Sequence, residues 1–133
     1  MPVGKTKDAG WQIGVSRAFP CTVEQAWALL TSEAGLATWL GVGAVLQPVR
    51  GAPYTTTDGT TGEVRSFRPH DRIRLTWQPP GWPHDSTVQV ALSAGARSTT
   101  VRFHQERLAS GTEREHQREH WRAVLDQLEN LLS

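Results

Sequence analysis

From Thr112 to Leu132 the chain carries an apolar stripe at helical spacing. Trp121, Val124, Leu125, Leu128, Leu131 and Leu132 fall on one side, and Glu113, Arg114, Glu119, Arg122, Asp126 and Glu129 fall mostly on the other. A long helix with one dry stripe must bury it, and the large partner available is a series of β-segments upstream. The pattern predicts an α+β arrangement in which a curved sheet wraps around a single C-terminal helix. A cavity is expected between the two.

The upstream segments alternate apolar and polar residues. Trp11, Ile13 and Val15 share one face of their segment. Ile73, Leu75 and Trp77 do the same in Arg72–Trp77, Val88, Val90 and Leu92 in Thr87–Leu92, and Val101 and Phe103 in Thr99–His104. Such alternation predicts antiparallel strands with one dry and one wet face. Asp58-Gly59 and Gly95 supply turns between runs. Ala44–Val49, Pro53–Thr57 and Thr61–Phe67 read as weaker strands. In the last of these, Val64 and Phe67 are out of phase by one, which predicts a bulge.

A helical insertion separates the first strand from the others. Thr22 and Gln25 form a capping-box pattern ahead of Val23, Ala26, Trp27, Leu29 and Leu30, and Gly35–Leu40 continues as a second short helix. Thr112 with Glu115 gives a second capping-box pattern at the start of the last helix.

Several segments, in this order and spacing, resemble one family. They are Arg17-Ala-Phe-Pro20 with Val23-Glu-Gln-Ala-Trp27, Leu36-Ala-Thr-Trp-Leu40, Gly62-Glu-Val64 with Pro69 to Trp77, Ser86-Thr-Val88, and Trp121 with Leu125 and Leu128. The chain is similar, from about Trp11 to the C-terminus, to the activator of heat-shock-protein-ninety ATPase homologue family of the START-like helix-grip superfamily. The resemblance implies a helix-grip fold with a curved antiparallel sheet of about seven strands. Two departures stand out. Arg50-Gly51 occupies the place of a frequent Gly-Gly pair, and His120 stands where the family often has Gly before the Trp of the last helix.

Residues 1–10 are expected to be a loose N-terminal segment containing Lys5 and Lys7, and 11–133 to form one domain, a usual size for a single core. A net charge of +1 gives no argument for nucleic acid or an anionic membrane as partner. The chain lacks an apolar run long enough to span a bilayer, and no signal-peptide pattern precedes Trp11. Cys21 is the one cysteine, consistent with a reducing cytoplasm and with a structural thiol, although its place before a helix start could lower its pKa. Arg72 and Arg74 are expected on the wet, convex face of the sheet, where Arg65, Arg68 and Arg102 could join them.

His116 and His120 are four apart on the last helix, a spacing that can hold a metal. There is no Glu at the zincin position and no third ligand tied to them, so neither metal nor cofactor is expected. Six Trp is many for this length, and aromatic side chains favour both cores and ligand cavities. Trp27, Trp39, Phe67, Trp77, His120 and Trp121 are the candidate lining, with His120 as the orienting polar group. Trp82, in Pro79-Pro80-Gly81-Trp82-Pro83, is expected at a surface, a cavity mouth or an interface.

The superfamily resemblance implies binding of a small apolar ligand without turnover. A polyketide cyclase or aromatase on the same fold would use His120 as its acid–base group, with Glu63, His70 or Asp71 at an opening. A co-chaperone contacting a chaperone ATPase would use the Trp82 loop. Either a monomer or a homodimer is compatible with the pattern.

Overall fold

A computed structural model of the chain describes residues 5–6, as backbone, and 10–132. The strands are β1 (Lys5–Thr6), β2 (Gly10–Phe19), β3 (Pro53–Thr55), β4 (Thr61–Arg68), β5 (Arg72–Trp77), β6 (Ser86–Ala94) and β7 (Thr99–Leu108). The helices are α1 (Val23–Thr31), α2 (Glu33–Trp39) and α3 (Gly111–Leu132). One antiparallel sheet runs in the order β1-β2-β7-β6-β5-β4-β3. Six of these are strands of three residues or more, and β1 adds only a two-residue rung paired with Gly10 and Trp11. Of the expected loose segment 1–10, Lys5, Thr6 and Gly10 lie in strand, while 1–4 and 7–9, including Lys7, are outside the described residues.

The expected strand over Ala44–Val49 does not form. Gly41 and Gly43 adopt φ of 143° and 85°, which takes the chain out of extended geometry. The backbone donors that follow turn to local acceptors, Ala44 N–H to the Gly41 carbonyl and Val49 N–H to that of Gln47. Pro48 has no donor to give. This loop leaves Val42, Val45 and Val49 exposed. The strand expected over Pro53–Thr57 stops at Thr55, because Thr56 begins a turn in which its N–H donates to the Thr60 carbonyl. Gly59 closes that turn at φ 97°.

The phase break in β4 is a register shift between Val64 and Ser66. It lets both Val64 and Phe67 reach the apolar side. A second irregularity joins Trp11 opposite Leu108 to Ile13 opposite Gln105, with Arg107 at φ 63° in the longer stretch. The extra residue turns Gln105 and Leu108 to the same buried side although they are three apart.

Thr22 caps α1 with the reciprocal Gln25 contact expected of it, at 3.1 and 2.9 Å. Ser32 both ends α1 and caps α2, accepting from Gly35 N–H at 3.0 Å, so α2 begins at Glu33 rather than at Gly35. The start of α3 differs from the Thr112–Glu115 reading. Ser110 Oγ accepts from Glu113 N–H at 3.1 Å, and the Glu113 carboxylate reaches back to Ala109 N–H at 2.9 Å. The cap residue therefore lies two positions earlier, and Glu115 pairs instead with Arg114 at 2.9 Å.

The concave face of the sheet holds α3. Trp121, Val124, Leu125 and Leu128 are buried, with Gln117 on the same stripe one turn earlier. Leu131 belongs to the expected stripe but is 45% exposed, while Leu132 next to it packs against the core. Arg114 Nε donates to the Gln12 carbonyl at 2.7 Å near the start of α3, and Arg17 meets Asp126 at 2.6 Å and Glu129 at 3.2 Å further along. These ion pairs are half-exposed and worth at most about 1 kcal/mol each, so the apolar stripe dominates the docking. On the convex face Arg74 reaches Glu106 at 3.3 Å.

Truncating Leu128 to Ala should lower stability by about 2–5 kcal/mol. The same change at Leu131 should stay within about 0.5 kcal/mol. Urea denaturation of both variants checks how the stripe is divided.

Candidate functional site

The turn after β5 places the first group of aromatic residues. Pro80 and Gly81 fill the central positions of a turn closed by Trp82 N–H to the Pro79 carbonyl at 3.2 Å, with Gly81 at φ 86°. This is the pattern in which Pro fixes the first central residue and Gly supplies the left-handed second. The Gln78 side-chain amide then donates to the Trp82 carbonyl at 2.8 Å. The turn folds Trp82 back over the end of β5, where its ring meets Trp77 edge-on at 5.2 Å and 78°. His84 lies against Trp82 at 5.0 Å. From α3, His120 comes within 6.0 Å of Trp77 and 4.7 Å of Trp121, with its outer side exposed.

The six candidate lining residues divide between three places. Trp77, His120 and Trp121 come together at this junction of β5 and α3. Trp27 of α1 meets Phe67 of β4 at 5.5 Å, with His70 at 6.0 Å, forming a separate group. Trp39 is only 2% exposed; it donates from Nε1 to the Leu30 carbonyl at 2.9 Å and lies 5.9 Å from Phe103. Phe103 in turn stacks on Trp121 at 4.6 Å and 11°. Open depressions occur away from all six, between β2 and α3 beside Arg118 and Arg122, and between α2 and the Gly43–Leu46 stretch.

Beneath the junction runs a buried polar chain. Gln105 is fully buried; its amide donates to Ser86 Oγ at 2.9 Å, and its carbonyl accepts from Gln117 Nε2 at 3.0 Å and Trp121 Nε1 at 2.9 Å. Ser86 Oγ donates onward to the Trp77 carbonyl at 2.9 Å. Every polar atom that Gln105 brings inside is thus matched, as a buried amide requires. The sequence reading did not single out Gln105. The signal was present, because Gln105 continues the inward phase of Val101 and Phe103. Trp77 Nε1, by contrast, is buried with no hydrogen-bond partner among the described residues.

The three histidines near α3 differ in character. Desolvation by the surrounding rings lowers the His120 pKa, so its imidazole is neutral at neutral pH. His84 is partly desolvated, but the Asp85 carbonyl at 2.8 Å and the Glu113 carboxylate at 2.9 Å outweigh that and raise its pKa. The same carboxylate caps the start of α3, so His84 ties the Trp82 loop to the helix. His116 is exposed. Burial raises the pKa of the Cys21 thiol, so the helix start after it does not produce a thiolate.

Chemically, the junction offers the half-exposed Trp82 ring and one neutral imidazole at the rim, above the buried rings of Trp77 and Trp121. It can hold an apolar molecule and orient it by hydrogen bonds.

Replacing Gln105 with Leu should cost about 1–3 kcal/mol for each donor it strands, those of Trp121 and Gln117, measurable by thermal or urea unfolding. His84 holds its proton more tightly folded than unfolded. Its contribution is therefore full below the ordinary histidine value of about 6.5 and fades as pH rises through the raised folded value. The stability gap between the wild-type chain and His84→Gln should accordingly be largest in acid and close in mild alkali, as read by urea midpoints across that range.

Comparison with known proteins places the chain in a wider group. The solved structure of CalU16 from Micromonospora echinospora superposes with a TM-score of 0.80 at 21% identity, over 97% of this chain and 82% of that one. DynU16, a protein of the dynemicin biosynthetic locus, gives 0.79 at 23% identity over 91% of this chain, which spans 46% of that protein's length. The Aha1 dimer from Colwellia psychrerythraea gives 0.73 at 19% identity, over 91% and 95% of the two chains. At these identities the likeness is one of fold. No protein of curated function matches in sequence. The family model for the activator of Hsp90 ATPase homolog 1-like protein matches residues 20–133. The chain belongs to that family.

Proposed function

We propose that this chain binds a small, largely apolar molecule at the β5–α3 junction and releases it unchanged. The observation that carries this reading is the half-open aromatic cluster of Trp77, Trp82 and His120. Trp82 is held there by a dedicated Pro-Gly turn, and one side of His120 faces solvent. A side chain serving only the core would not require a turn to fold it onto the rim. The deeper space under α3 is taken by Phe103 and Trp121, so the ligand sits at the mouth rather than the centre. Trp27 and Phe67 would bound a second apolar position, and Trp39 supports the floor through Phe103.

Titration with tetralin, a bicyclic hydrocarbon that carries no polar group, should quench indole fluorescence saturably. Trp82→Ala should weaken binding by about tenfold through loss of one aromatic wall. Equal affinity in this variant would remove the junction as the site.

A second reading has its own observation. A His120 imidazole held neutral by desolvation is in the state a general base requires. In that case the protein would be a cyclase-type enzyme, with His120 taking a proton from a carbon between two carbonyls. Loss of turnover of a poly-β-ketone analogue in His120→Ala, with folding intact, would favour the enzyme. An absence of turnover in the wild-type chain favours binding alone.

A further inference from the structure

We infer that the convex face of the sheet binds a phosphoryl group, held between the guanidinium groups of Arg68 and Arg72 at the tip of the β4–β5 hairpin. The site lies on the opposite side of the sheet from α3, so the inference stands apart from the apolar-binding reading.

Arg68 and Arg72 are cross-strand partners, and the next pair, Phe67 and Ile73, packs into the core. Successive side chains alternate, so the two arginines project from the convex face. Directly opposed side chains stand about 5 Å apart at Cβ, and like charges in that position repel. The backbone does not let them part. Asp71 N–H donates to the Arg68 carbonyl at 3.0 Å, closing a tight turn in which His70 takes φ 65°.

Neither charge has a counter-ion. Arg74, on the same strand as Arg72, meets Glu106 at 3.3 Å, and Arg65 meets Glu63 at 2.8 Å. Arg68 and Arg72 form no ion pair among the described residues, and Asp71 in the turn pairs with neither. Arg72 is also partly desolvated, since its Nε is buried without a partner among the described residues. That atom is sealed and takes no part in binding. It marks a guanidinium drawn partly out of water with no anion beside it, which is a costly arrangement for a charge. The outer nitrogens of Arg72 reach solvent.

The neighbouring strands favour an anion at this place. Ala91 of β6 stands opposite Arg72, and Arg102 of β7 stands opposite Ala91. Arg102 leans away over Gly14, where a Cβ would come within 2.7 Å of its Nη2. Ala91 is therefore a low, half-exposed floor between two arginine-bearing strands about 10 Å apart. On the outward rows of β5, β6 and β7, Glu106 is the one carboxylate, against Arg72, Arg74 and Arg102. A phosphoryl group offers oxygens to two planar guanidinium forks at once, and its charge offsets both arginines, where a carboxylate offsets one.

The test is calorimetric titration of the full chain with inorganic pyrophosphate at low salt. Binding should saturate at one equivalent, and Arg72→Gln should weaken it by about tenfold, the scale of one charged hydrogen-bonding partner. Arg50→Gln removes an exposed arginine of the loop after α2 and should change the affinity by no more than about twofold. No saturable binding by the wild-type chain overturns the inference. An equal loss in Arg50→Gln also overturns it, because the attraction would then belong to the charge of the whole surface. Should Arg72→Gln not fold, backbone amide shifts of the wild-type chain decide. Pyrophosphate should move Arg68, Arg72 and Ala91 most, and shifts centred elsewhere reject the site. Vesicles of phosphatidylcholine with phosphatidic acid separate the two sources of such a group. Co-sedimentation that is lost in Arg72→Gln supports a phosphate on a lipid headgroup, and pyrophosphate binding without co-sedimentation supports a soluble phosphate compound.

Discussion

The docking of Trp121 on the sheet is the contact on which the rest of the structure depends. Its ring stacks on Phe103 at the centre of the concave face, and its Nε1 is received by Gln105 from the same strand. Stacking alone would hold the helix at a depth but not at a fixed rotation. The hydrogen bond fixes the rotation, because it has one donor and one acceptor in a defined direction. With that rotation set, Val124, Leu125 and Leu128 enter the core, and His120 is delivered to the rim beside Trp77.

The buried polar chain is tolerated because its members match one another. A lone buried amide would be costly; here Gln117 and Trp121 fill both lone pairs of the Gln105 carbonyl, and its amide donates to Ser86, which passes the chain on to the Trp77 carbonyl. The chain also joins β5, β6, β7 and α3 at a single level of the fold. The aromatic cluster is therefore built on a rigid floor, while its outer wall, the Trp82 turn, is held by Gln78 and by the His84–Glu113 contact. Such a division, with a firm base and a loop-borne rim, is what the proposed binding role would use.

Much of the fold was legible because hydrophobic period is a local property. The inward phases of β5, β6 and β7, the α1 cap at Thr22 and the bulge in β4 all follow from residues within a few positions of one another. The errors have an equally local cause. Ala44–Val49 has strand-like composition, but Gly41, Gly43 and Pro48 impose a loop, and no neighbouring strand offers a ladder to override them. At the start of α3, the Thr112–Glu115 pattern did not become the cap. Ser110, two residues after β7 ends, accepts from Glu113 N–H, so the helix begins at Gly111, before Thr112.

The sequence by itself determined an antiparallel sheet with one dry face, its two-helix insertion, the long C-terminal helix and the family to which they belong. Each is encoded in periodicity, caps and the order of short segments. Tertiary structure decided which aromatic residues share a site. Trp27, Trp39 and Trp77 are alike in composition and burial, yet they lie on α1, α2 and β5, and only the crossing of α3 over the sheet brings one of them to His120. Tertiary structure also decided that Gln105 would find partners and that Trp77 Nε1 would have none among the described residues. That depends on the distances between strands and helix far apart in the chain, which no local pattern records.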